Sequence, residues 1–145
     1  MIYELLLKNI AKYIHLAKDK EDHFISLLRH KKIKRKHFFL QEGEINKSVA
    51  FVNAGCLRSY SIDKNGFEHI LQFAPPGWWI TDMYSLTTQK PGTLNIDAVD
   101  DSEIILLLKS DLDKLYFSIP KFERFFRILA ENSLATPDNC TIIIK

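Results

Sequence analysis

Apolar positions change their spacing twice along this chain. At the start, Leu6, Ile10 and Ile14 recur at helical spacing, which predicts an amphipathic helix. A second short helix follows over Asp19 to Arg29, with Phe24, Leu27 and Leu28 on one face. From Lys32 to about Lys109 the pattern is one of short strands between turn signals. Those signals are Glu42-Gly43, Asn53-Ala54-Gly55, Asp63-Lys64-Asn65-Gly66, Pro75-Pro76-Gly77 and Pro91-Gly92. Turns at intervals of roughly ten residues are what a sandwich or barrel of antiparallel strands produces. Asn65-Gly66 is the clearest hairpin turn. In the strand after it, strict alternation puts Phe67, His69, Leu71 and Phe73 on one face and Glu68 and Gln72 on the other. EIILLL, from Glu103 to Leu108, suits a strand buried on both faces. Helical spacing returns after Ser110-Asp111, and Pro120 can open a helix whose stripe is Phe122, Phe125, Phe126 and Leu129. Pro137 is expected to end it, and TPDNCTIIIK receives no assignment.

Length and composition narrow the class. A chain of 145 residues can bury one real core and is too short for two comfortable domains. Its 46% hydrophobic and 26% charged residues are ordinary for a globular protein. A net charge of +2 argues against a dedicated nucleic-acid binder. Cys56 and Cys140 make neither a disulfide framework nor a four-thiolate metal site, and free thiols suit a reducing cytoplasm. The opening MIYELLLKNIAKYIHL is interrupted by Glu4 and Lys8 and lacks a small-residue cleavage site. No apolar run approaches the ~18 residues that span a bilayer, so a cytoplasmic protein without a membrane partner is expected.

Candidate chemistry is sparse. No G-x-S-x-G elbow, H-E-x-x-H helix or phosphate-binding G-x-x-x-x-G-K-[ST] loop is present. His69 lacks the neighbouring histidine and glutamate of a jelly-roll metal site, and alternation sends Glu68 and His69 to opposite faces. No catalytic residue, metal ligand or cofactor is therefore assigned. RHKKIKRKH, from Arg29 to His37, reads as a solvated lead into the first strand with Ile33 alone facing inward. FAPPGWWITD, from Phe73 to Asp82, is the most suggestive stretch. Two prolines stop a strand, Gly77 permits a close backbone approach, and Thr81 or Asp82 can cap a short helix. Strand, glycine turn and helix start is one way to build an anion pocket. Trp78 and Trp79 either line that pocket or plug a packed corner.

Taken together these segments resemble the cyclic-nucleotide-binding, cAMP-binding-like sensor domain of the Crp/Fnr transcription regulators. FFLQEGE (38–44) resembles the family's strand ending in a glutamate-glycine turn. VNAGCLRSYSIDKNGFEHILQFAPPGWW (52–79) resembles its central hairpin leading into the phosphate-binding cassette, in a divergent branch with G-W-W. IPKFERFFRIL (119–129) resembles the start of its dimerisation helix. The resemblance implies a mainly β jelly roll, or double-stranded β-helix, of about eight short antiparallel strands. Its implied boundaries are a helical head over 1–30, the roll over 32–109, tail helices over 111–134 and an unassigned tail over 135–145.

It also implies a ligand pocket lined by Gly77, Trp78, Trp79, Ile80, Thr81, Tyr84, Lys90 and Thr93. A homodimer would form through Phe122, Phe125, Phe126 and Leu129. Two departures qualify the implied function. Nucleotide-binding members follow the cassette glycine with a glutamate, where Trp78 stands, and place an arginine near the position of Gly92 or Thr93. Lys90 is the nearest cation there, and Asp82 would repel a phosphate. The expectation is a small-molecule-sensing regulatory domain that binds cyclic nucleotide weakly or not at all. No helix-turn-helix follows, so direct DNA binding by this chain is not expected. The alternative is a ligand-free interaction module that pairs with a full-length regulator.

Overall fold

The computed structural model describes residues 2–132 and 141–144. Two helices lead the chain, α1 (Glu4–Ala11) and α2 (Lys18–Leu27). Eight strands form the roll: β1 (Arg29–Ile33), β2 (Phe38–Leu40), β3 (Ser48–Ala54), β4 (Leu57–Ile62), β5 (Glu68–Ala74), β6 (Trp79–Asp82), β7 (Asn95–Ala98) and β8 (Ser102–Leu108). Helix α3 (Met83–Thr88) interrupts them after β6, and α4 (Lys109–Ser118) and α5 (Lys121–Asn132) follow the roll. A ninth strand, β9 (Thr141–Ile144), comes from the tail that the residue pattern left unassigned. The expected stop at Pro137 lies outside the described residues.

All pairings are antiparallel, in one sheet ordered β1-β8-β3-β6-β9 and another ordered β2-β7-β4-β5. Two cores result. Inside the roll, Ile33, Leu40, Ala50, Val52, Leu57, Ala74, Ile80, Ile96 and Ile104 pack between the sheets. On the far side of the first sheet, Val49, Phe51, Trp79, Ile105 and Leu107 pack against Leu6, Ile10, Phe24, Leu112, Leu115, Phe122, Phe125 and Leu129 of the helices. The first sheet is thus covered on both faces. That is why EIILLL is continuously apolar: Ile104 serves the roll interior while Ile105 and Leu107 serve the helical layer.

Two expectations shift. Residues Arg29 and His30 belong to β1 and not to the helical head, so the basic run is itself the first strand. Only Ile33 of that strand is buried. Lysines along this edge strand also discourage pairing with another chain. The second shift is in β5, where a bulge sets Ser59 opposite Gln72 and Tyr60 opposite Ile70, leaving Leu71 unmatched. The extra residue reverses the alternation beyond it. Gln72 therefore lies on the same face as buried Ala74, opposite Ser59, and Phe73 turns outward to 50% exposure.

Helix α5 turns its apolar stripe toward the core of this chain. Phe122 and Phe125 are fully enclosed and Leu129 is buried, all in the core of this chain. Phe126 is half-buried and meets Trp79 edge-on at 5.4 Å between ring centroids. The stripe expected to face a second copy is covered instead by the first sheet and α1. Amphipathic spacing establishes that a helix has an apolar face, but not which surface will cover it.

Candidate functional site

The two adjacent tryptophans diverge, because successive residues on a strand face opposite ways. Trp79, at 2% exposure, enters the helical layer, where it meets Phe51 at 5.1 Å and Phe125 at 6.1 Å between centroids. Its indole Nε1–H donates to Asn9 Oδ1 at 2.8 Å. Asn9 in turn donates through Nδ2 to the Gly77 carbonyl at 3.4 Å, so α1 holds both ends of the G-W-W turn. Trp79 is therefore a packed corner residue. Trp78 is half-buried against the roll interior, where Ile80 is fully enclosed.

Gly77 adopts a φ of +92°, which favours glycine, and its N–H donates to the Val52 carbonyl at 2.8 Å. It turns the chain into β6 and does not sit at a helix entrance. The helix entrance is Asp82, five residues later and 1% exposed. Of the two residues expected to cap the helix, Thr81 and Asp82, it is Asp82 that does so. Its Oδ1 accepts from the Ser85 backbone N–H at 3.2 Å and caps α3.

A buried polar web fixes this loop. Asn46 Nδ2 donates to Thr81 Oγ1 at 2.6 Å and to the Asp82 carbonyl at 2.9 Å. Ser85 Oγ accepts from the Asn46 N–H at 2.8 Å and donates to the Lys90 carbonyl at 2.6 Å. Gln89, in the left-handed region with φ 55°, ends α3 and donates through Nε2 to the Asn46 carbonyl at 3.0 Å. The two glycine turns clasp: Gly43 N–H donates to the Gly92 carbonyl at 2.9 Å, and Gly92 N–H to the Glu44 carbonyl at 3.2 Å. A Cβ at Gly92 would collide with Asp82 Oδ2 and lie 3.3 Å from the Ser85 Cβ. Of the two positions at which an arginine was sought, Gly92 has no room for a side chain and Thr93 is exposed.

The eight residues expected to line one pocket do not converge. Trp79 and Thr81 face the helical layer, whereas Trp78 and Ile80 face the roll. Tyr84, Lys90 and Thr93 are exposed. Arg58, the sole arginine between Arg35 and Arg124, is held elsewhere by Asp97 at 2.8 Å, by Glu68 at 3.6 Å and over the Tyr60 ring at 4.4 Å. These partners, the Asp97 hydrogen bond foremost, push its guanidinium pKa up. His69 pairs with Asp63 at 2.8 Å on the hairpin, and this hydrogen bond leads the effects that hold the Asp63 carboxyl below its ordinary range. Among the described residues no three His, Cys, Asp or Glu side chains come together as a metal site.

Residue patterning missed Ser59 and Gln72. Directly opposed in register, they share a face with Leu57 and Ala74 of the roll interior. Ser59 Oγ and Gln72 Oε1 are buried without a hydrogen-bond partner among the described residues. Such orphans are uncommon because each costs about 1–3 kcal/mol. A serine between inward apolar positions is a visible signal; the inward turn of Gln72 is hidden by the bulge.

Burial pushes the Asp82 carboxyl pKa up, against the Ser85 and Tyr84 amide hydrogen bonds that lower it. The folded chain then binds this proton more tightly than the unfolded chain. Asp82 costs stability above its raised pKa, and the cost disappears as pH falls below the ordinary carboxylate range. Asp82→Asn keeps a capping oxygen. It is expected to raise the unfolding midpoint by a few degrees at pH 7 and to leave it unchanged near pH 3, as thermal melts across that range will read.

The family model for the cyclic nucleotide-binding domain matches residues 30–118, and the chain belongs to that family. Its fold is that of the sensor domains of Crp/Fnr-type regulators, which are not enzymes. The catabolite activator protein of Thermus thermophilus is similar in fold, with TM-score 0.73, 20% identity, and coverage of 85% of this chain and 56% of that one. FixK2 from Bradyrhizobium japonicum gives TM-score 0.62 at 21% identity, covering 72% and 50%. The sensor domain of the transcriptional regulator DNR from Pseudomonas aeruginosa gives 0.68 at 13% identity, covering 92% and 95%. The chain thus spans about half the length of the first two proteins. The comparison with curated protein sequences gave no match. No helix among the described residues is long and apolar enough to cross a membrane.

Proposed function

We propose that this chain is a ligand-sensing regulatory domain whose cassette no longer accepts a cyclic phosphate and whose roll interior takes a small neutral molecule. One observation carries the reading: the Asp82 carboxylate already occupies the amide end of α3, backed by Gly92. A second anion placed there would meet a buried like charge. Support for a neutral ligand comes from Ser59 and Gln72, whose oxygens are buried without a partner among the described residues, on the face that Leu57 and Ala74 turn to the roll interior. A molecule that hydrogen-bonds both would convert two buried penalties into contacts.

The test is a pair of variants, Ser59→Val and Gln72→Leu, assayed by thermal unfolding with and without a panel of neutral small molecules. Each variant is expected to raise the ligand-free midpoint, since an unsatisfied polar group is replaced by an apolar one. A panel member that stabilises the wild type should fail on both. Lower midpoints in both variants would show that these side chains are satisfied in the folded chain, and would sink the reading.

A second reading, a protein-interaction module, is favoured by the outer side of the β4–β5 hairpin. Ile62, Phe67, Ile70 and Phe73 are all exposed there, Phe67 to 66%. Pairing with a second copy or with a full-length relative would then use this hairpin and not the α5 stripe.

A further inference from the structure

A cavity separate from the roll interior lies between the first sheet and helices α3, α4 and α5. It measures about 220 Å³ and is lined chiefly by Trp79, Met83, Leu86, Leu112, Phe126 and Leu129. For scale, a dry cavity of roughly 150 Å³ is enough to hold benzene. Its interior offers little for a polar ligand to grip. The Thr81 hydroxyl already donates to the Ser48 carbonyl at 3.0 Å, and the Thr87 hydroxyl to Met83 Sδ at 3.3 Å. Tyr116 contributes a hydroxyl whose pKa burial pushes up to about 12, so it stays a neutral phenol.

The lip differs from the interior. Lys109 and Asp113 line the cavity and also a polar recess beside it, whose wall includes Lys47, Gln89 and Ser110. Lys109 Nζ reaches Asp113 at 3.3 Å, but Asp113 is largely solvated and such a pair is worth little. Among the residues that line the cavity and the recess, two ammonium groups stand against one carboxylate; the Glu123 carboxyl also acts on Tyr116 but lines neither.

We propose that this cavity binds an apolar monocarboxylate of ring or medium-chain size, with its hydrocarbon body among Met83, Leu86, Leu112 and Phe126 and its carboxylate at Lys109 and Lys47. The site is independent of any ligand in the roll. It lies between the cassette helix α3 and the tail helices α4 and α5, so occupancy would tie α3 to the tail helices. Charge complementarity at the lip selects an acid over an alcohol of equal shape, and the apolar interior selects against sugars and nucleotides.

Octanoate and 3-phenylpropionate, with octanol and 3-phenylpropanol as uncharged counterparts, provide the test by calorimetric titration and by intrinsic tryptophan fluorescence. At least one acid is expected to bind the full chain with a dissociation constant below about 1 mM, and its alcohol roughly tenfold more weakly. Lys109→Gln should weaken the acid by a similar factor and leave the alcohol unchanged. Met83→Phe, which fills the cavity from a half-buried position, should abolish binding of both, while a midpoint near that of the wild type establishes that the variant folds. Failure of both acids to bind at about 10 mM, roughly ten times the expected ceiling on the dissociation constant, overturns the proposal. So does equal binding of acid and alcohol, or unchanged binding in a folded Met83→Phe chain.

Discussion

Trp79→Ala is expected to lower the unfolding midpoint by roughly 10 °C or more, the largest effect of any single change to the G-W-W turn. The indole is enclosed by Phe51, Phe125 and Phe126, and it is the bridge to α1. Removing a buried aromatic side chain costs about 3–5 kcal/mol. At this chain length each kcal/mol shifts the midpoint by about 2–4 °C. Trp79→Phe separates the two contributions, because it restores most of the ring while stranding the Asn9 side chain, at a cost of about 1–3 kcal/mol. Trp78→Ala, at a half-buried position, should cost less than half as much as Trp79→Ala. Thermal melts of the three variants would contradict this account if Trp78→Ala proved the more damaging.

Phe125→Ala carries an effect of the same size for a different reason. Phe125 is fully enclosed and contacts the rings of Tyr13, Trp79, Phe122 and Phe126. The expected loss is again about 3–5 kcal/mol, against less than about 0.5 kcal/mol for Arg127→Ala on the exposed side of α5. Its dependence on concentration is the informative part. A core residue lowers the midpoint equally at every protein concentration, whereas a subunit-interface residue acts through association and its effect varies with concentration. A Phe125→Ala chain that kept the wild-type midpoint but lost self-association would restore the interface reading of this stripe.

How far the residues alone led can be traced at particular positions. EIILLL was legible as a strand covered on both faces because no polar residue breaks it, and β8 lies between both cores. The Asn65-Gly66 hairpin was legible because its turn is local: Gly66 N–H donates to the Asp63 carbonyl at 3.0 Å. Gln72 was not, since one unmatched residue reverses every later side chain of the strand. Nor was Asn9, whose contact with Trp79 spans 70 positions and follows from how α1 docks. For the cassette, glycine, aromatic and acid could all be seen in the sequence. Which wall each tryptophan joins could not, because only the fold shows Trp79 in the helical layer and Trp78 against the roll.

The central claim is that the anion position of the cassette is filled from within by Asp82. Thermal unfolding of the wild-type chain at pH 7, with and without millimolar cyclic AMP and cyclic GMP, tests it most directly. The account predicts no change in midpoint with either nucleotide. A ligand at about a hundred times its dissociation constant stabilises by roughly 2.7 kcal/mol. A rise of several degrees with either nucleotide would therefore mean that the cassette still binds a cyclic phosphate and that Asp82 does not exclude it.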